Sequence, residues 1–150
     1  MRNYSKLGAL IAFVAIVFTS CNKNEIPEIT IHELGYNNTR TVVAGTDLHI
    51  DAELLAPLKI ASIQLIIHSE AEHAAVPTQK VKSAFAETIV WEIDSIYTKG
   101  YAGVKNAEFH EHVDVPALTT PGHYHFHLKV TDMDGNQAIK EDEIEVLAAN

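Results

Sequence analysis

The stretch Gly122-His-Tyr-His-Phe-His-Leu-Lys-Val-Thr-Asp-Met-Asp-Gly-Asn136 decides the fold class. Tyr124, Phe126, Leu128 and Val130 alternate with His123, His125, His127 and Lys129. A period of two belongs to a β-strand with one buried face, so the apolar set points to a core and the histidines point away from it. Asp134-Gly135 then closes the run with a strong hairpin signal. Asp132 to Asn136 begins like a calcium loop but lacks the third acidic position and the bidentate glutamate, and is read as a turn.

The same alternation extends upstream. Leu48, Ile50, Ala52 and Leu54 alternate with His49, Asp51 and Glu53, and Ile63, Leu65 and Ile67 with Gln64, Ile66 and His68. Ile89, Trp91 and Ile93 alternate with Val90, Glu92 and Asp94, which makes Trp91 a core residue. Further strands are predicted over 28–34, 40–43, 108–115 and 137–147, and no helix-period segment competes. Seven or eight short strands separated by turns predict an all-β, immunoglobulin-like antiparallel β-sandwich over residues 28–150. Residues 69–107 are the irregular part, with room for a helix or mobile loop before the Trp91 strand. Within them Tyr97-Thr-Lys-Gly-Tyr-Ala-Gly103 reads as a glycine-broken loop, with Tyr97 and Tyr101 as candidate contact residues or plain packing. Residues 122–136 resemble the penultimate strand and turn of cadherin-like and other bacterial immunoglobulin-like domains. That resemblance implies a tyrosine-corner role for Tyr124.

The N-terminus reads as an address. Arg2 and Lys6 precede twelve uncharged, mostly apolar residues, 7–18, and the small pair Thr19-Ser20, so 1–20 is predicted to be a signal peptide. Twelve residues rise only about 18 Å as a helix, short of the roughly 30 Å hydrocarbon core. Cys21, the single cysteine, follows at once and resembles the modified residue of a bacterial lipobox, although Phe18 stands where leucine is usual. The resemblance implies lipidation of Cys21, cleavage before it and a tether over 21–27, with the mature protein held in the cell envelope, most naturally at the outer membrane. Whether it faces the periplasm or the surface is open.

Of the 150 residues, 47% are hydrophobic and 21% charged, as in an ordinary globular protein. Basic residues number 11 against 20 acidic; loss of Arg2 and Lys6 with the leader leaves 9 against 20, a charge of −11. Such a surface lacks the counter-charge for a phosphate backbone, so nucleic acid is excluded as a partner. With no second cysteine, no intramolecular disulfide forms and stability rests on the apolar core.

Five of the nine histidines fall in Phe109-His-Glu-His112 and His123-Tyr-His-Phe-His127. Residues i and i+2 of a strand share a face about 6.5–7 Å apart, so a His-x-His pair closes on one ion when a neighbouring strand supplies a third ligand. Phe109, Val113 and Val115 set an inward parity that sends His110 and His112 outward. In an immunoglobulin-like order His49 starts the second strand and His68 ends the third, while His112 ends and His123 starts later strands at the same pole. The candidate ligands are therefore His49, His68, His110, His112, His123, His125 and His127, for zinc, copper or nickel. Two arrangements are open. If the sheets separate them, His49 pairs with His110 or His112, and His68 with His123 or His125. If the strands flanking Pro116 form a hairpin, the five clustered histidines share one face. His32 and His73 are read as solvated. A pH-responsive surface is a further use of nine imidazoles in an acidic domain.

Signatures of serine hydrolases, zinc proteases, P-loops and dinucleotide-binding folds are absent, and Glu111 alternates away from His110 and His112, so it is badly placed as a general base for their ion. No enzymatic activity is predicted. Gly35-Tyr-Asn-Asn38, Asp47-Leu-His49, Trp91-Glu-Ile-Asp94, Phe109-His-Glu-His-Val-Asp-Val-Pro116 and the 122–132 string together resemble a family of uncharacterised Bacteroidota lipoproteins. The resemblance implies anchoring and the sandwich fold but no reaction. The expectation is a lipid-anchored, metal-binding module serving a transporter or other envelope protein. The alternative is an adhesion or protein-interaction domain without metal.

Overall fold

The computed structural model describes residues 26–70 and 88–149. The predicted leader, Cys21, His73 and positions 71–87 of the irregular segment lie outside them. The elements are β1 (Glu28–Leu34), a 3-10 turn (Tyr36–Asn38), β2 (Thr41–Val43), β3 (Asp47–Leu55), β4 (Ile60–Ser69), β5 (Ile93–Tyr97), β6 (Asn106–Asp114), β7 (Gly122–Asp132) and β8 (Gln137–Leu147). They form two sheets, β1-β3-β6 and β2-β8-β7-β4-β5. All neighbours are antiparallel except β2 and β8, which run parallel. This is the immunoglobulin-like sandwich that the alternation predicts.

The inward sets of the alternating runs fill the space between the sheets. Leu48, Ile50, Ala52 and Leu54 of β3 face Ile63, Leu65 and Ile67 of β4 and Phe126, Leu128 and Val130 of β7, all fully buried. Each large apolar side chain contributes about 1.5–3 kcal/mol by leaving water, which holds the two layers together without any cross-link. Tyr124 is the corner residue: its ring is buried and its hydroxyl donates to the Thr120 carbonyl at 2.8 Å. Gly35 turns the chain from β1 towards β2 at φ +73°, where a Cβ would sit 2.7 Å from the Thr41 carbonyl oxygen, so only glycine fits.

Two expectations need correction, and one open choice is decided. The ladder predicted through Ile89, Trp91 and Ile93 begins only at Ile93, and Ile89 is exposed and bridges Thr119 alone. Trp91 is indeed core, but it plugs the end of the sandwich against Tyr124, with centroids 5.9 Å apart, instead of joining the ladder. Secondly, Tyr97 ends β5 rather than lying in the loop, and packs edge-on against Phe109 at 5.1 Å. Tyr101 covers the same ring at 5.9 Å, so both tyrosines serve packing. Burial first, and the Glu111 carboxylate beside them second, push both phenols above their usual range. Of the two arrangements left open for the histidine strands, separation between the sheets is the one found: β6 and β7 are not a hairpin. Each pairs within its own sheet, β6 on β3 and β7 between β4 and β8, because both need an apolar face turned into the same core.

Candidate metal centre

The outer face of the three-stranded sheet is built by register. β3 and β6 pair with Asp47 opposite Asp114, His49 opposite His112, Asp51 opposite His110 and Glu53 opposite Glu108. Since the intervening residues are claimed by the core, these polar side chains form a continuous outward row. His49 and His112 stack with centroids 4.8 Å apart, His110 meets His49 edge-on at 4.9 Å, and His110 lies 5.5 Å from His112. One ligand atom from each of the three lies within 4.8 Å of those of the other two. Three points so spaced lie within about 2.8 Å of a common centre, against zinc–imidazole bonds of about 2.0–2.1 Å. Small side-chain rotations close that gap.

A carboxylate already orients one of the rings, and a second carboxylate lies near another. His112 Nδ1 donates to Asp47 Oδ2 at 2.5 Å, and His49 Nδ1 lies 3.4 Å from Glu33 Oε1. A carboxylate on Nδ1 fixes the tautomer and presents Nε2 to an ion, the usual support for a metal-binding histidine. The hydrogen bond with His112 holds the Asp47 carboxyl below the usual carboxylate range. Beside the triad, Asp51 and Glu108 gather around His110. Asp51 Oδ1 is buried without a hydrogen-bond partner, an electrostatic demand that a cation would answer.

The remaining candidates lie on the other sheet. His68 of β4 stands opposite His125 of β7, with His127 two residues along. His123 leads the row, its Nδ1 2.5 Å from Glu143 Oε1. The seven predicted ligands are thus divided between two opposite faces, both near the pole where β3 starts and β4 ends. His32 lies outside the triads, half-exposed at 3.7 Å from Glu53. Glu111 points between the sheets, 3.4 Å from the Tyr101 hydroxyl, as its parity predicts. Sequence reading missed Glu33, Asp47, Asp51 and Glu108. The last three share outward parity with the histidines in Asp47-Leu-His-Ile-Asp51 and Glu108-Phe-His-Glu-His112, so the pattern contained them. Glu33 depends on a register shift between Ile31 and Glu33 that no periodicity reveals.

Fold and site together define an antiparallel β-sandwich with histidine rows on its outer faces. Within that class the chain belongs to a family described as a domain of unknown function (DUF4625), whose model matches residues 19–147. No curated protein matches it. Among solved structures, it is similar to the soluble domain of PmoD from Methylocystis sp. ATCC 49242 (Rockwell). The two are 15% identical, with 82% of this chain and 92% of that one covered and a TM-score of 0.41.

Proposed function

We propose that the protein is a lipid-anchored module of the cell envelope that binds a transition-metal ion through His49, His110 and His112, without catalysing a reaction. The observation that carries this reading is the convergence of three imidazole ligand atoms within 4.8 Å, two of the rings being backed by carboxylates. Nitrogen donors with acidic neighbours suit borderline ions, so zinc, copper(II) and nickel are the candidates. Asp51, gathered with Glu108 around His110, adds negative charge beside the three imidazoles. Three ligands on an open sheet face leave a position accessible to solvent, which fits buffering or handing an ion to a transporter or other envelope partner better than a closed structural site. Anchoring rests on the lipobox-like setting of Cys21.

The test is titration of the metal-free chain in detergent with zinc, copper(II) and nickel. Saturable binding that falls at least about 100-fold in the His112→Ala variant is expected, because a ligand is lost outright. Absent binding would leave the interaction-module reading, and binding indifferent to His112→Ala would refute this site. Replacing Cys21 by serine should move the protein from the membrane to the soluble fraction, and retention at the membrane would refute the anchor.

A further inference from the structure

The two histidine rows obey one construction rule. On the three-stranded sheet, a cross-strand pair (His49, His112) is joined by the histidine two residues from one member, His110. On the five-stranded sheet, a cross-strand pair (His68, His125) is joined by the histidine two residues from one member, His127. The flanking strand repeats as well. Just as Glu33 of β1 backs His49, Glu141 of β8 backs His127, with Oε1 3.3 Å from Nδ1. Such a coincidence on two sheets that share no residue is unexpected from solvated surface histidines.

The spacing carries the point further. Zinc–imidazole bonds of about 2.0–2.1 Å at a tetrahedral angle put ring centroids about 5.2 Å apart. The second group has His68 at 5.2 Å from His125 and 5.3 Å from His127, while His125 and His127 are 6.3 Å apart. Two of three centroid separations suit a common ion, but among the described residues the ligand atoms of this group are not gathered within 4.8 Å as those of the first triad are, so binding here requires the rings to turn through χ1 and χ2 and the third separation to close by about 1 Å. All three residues are half-buried, whereas His110 and His112 are exposed, so less side-chain freedom is lost when they are held. The opposed outer faces are separated by more than the roughly 10 Å between packed sheets, so one ion cannot serve both groups.

We infer that His68, His125 and His127 form a second, separate transition-metal site, so that each chain carries two ions on opposite faces of the sandwich. This site rests on its own residues and is separable from the first. The experiment is native mass spectrometry and equilibrium dialysis of the full chain in detergent with zinc chloride. The expected occupancy is two ions in the wild type and one in the paired variant His68→Ala/His127→Ala. One ion is also expected in His49→Ala/His112→Ala, and none when all four are replaced. Should the alanine pair disturb folding, seen as loss of the near-ultraviolet circular dichroism of Trp91, the His68→Gln/His127→Gln pair serves in its place. Two ions retained by the β4/β7 variant, or one wild-type ion unaffected by it, would overturn the second site. A single wild-type ion lost only in the β4/β7 variant would uphold this site and defeat the reading of the first triad. A single ion lost in both paired variants, or no saturable binding at all, would overturn the two-site inference.

Discussion

Asp47 acts on a prospective ion without touching it. By accepting from His112 Nδ1 it fixes which ring nitrogen remains for coordination, so Asp47→Ala removes orientation while leaving all three imidazoles in place. Metal affinity is expected to weaken about 10–100-fold in a competition titration, with the far-ultraviolet spectrum unchanged. An unchanged affinity would mean that the ring is held by other means. A second carboxylate is structural. Asp132 is buried at the start of the β7–β8 turn; its Oδ1 accepts from the amides of Asp134 (3.0 Å) and Asn136 (2.8 Å) and its Oδ2 from the Asn136 side chain (2.9 Å). Burial alone would push its carboxyl up, but these hydrogen bonds outweigh it and leave it below the usual range. A carboxylate depressed on folding stabilises above its unfolded value near 3.9, and that contribution is lost as pH falls through the folded value. Denaturant midpoints measured from about pH 5 to pH 2 should therefore fall less steeply in Asp132→Asn than in the wild type. The parity of the seven candidate histidines was readable because a strand leaves only two directions for a side chain. The identity of their carboxylate partners was partly hidden, since Glu33 reaches His49 only through an irregular register.

Strands whose two faces differ sharply in polarity were the easiest to place. β1 and β8 match the predicted ranges, and the histidine-bearing β7 gains only a residue or two at each end. The Trp91 run misled because period-two apolar spacing describes which way side chains point, not whether the backbone finds a ladder partner. Trp91 buries its ring at the sandwich end, beside Tyr124, and the pairing with β4 starts after it. The tyrosine corner secures this junction, tying the entry of β7 to the loop that leaves β6. Tyr124→Phe keeps the packed ring but deprives the Thr120 carbonyl of its donor. A loss of about 1 kcal/mol in chemical denaturation is expected, with the m-value unchanged. A variant as stable as wild type would show that water replaces the hydroxyl at no cost.

For the whole molecule, the two-sheet sandwich could be read from strand count and alternation, and the division of the histidines between the sheets was one of the two arrangements the sequence left open. Whether residues 110 and 125 share a face depends on the sheet to which each strand belongs, and that is decided by competition for core contacts across the chain. The parallel pairing of β2 with β8 is the extreme case of such long-range dependence. Arg40, just before β2, donates through Nε to both oxygens of Asp142 at 2.9 Å, across 102 positions of sequence. Among the described residues, Thr41–Val43 find their only ladder partner in Glu145–Leu147. During synthesis, the early strand must wait, unpaired, until residues 145–147 have emerged. Closure is consequently a late, all-chain event of the slow kind that non-local topologies show.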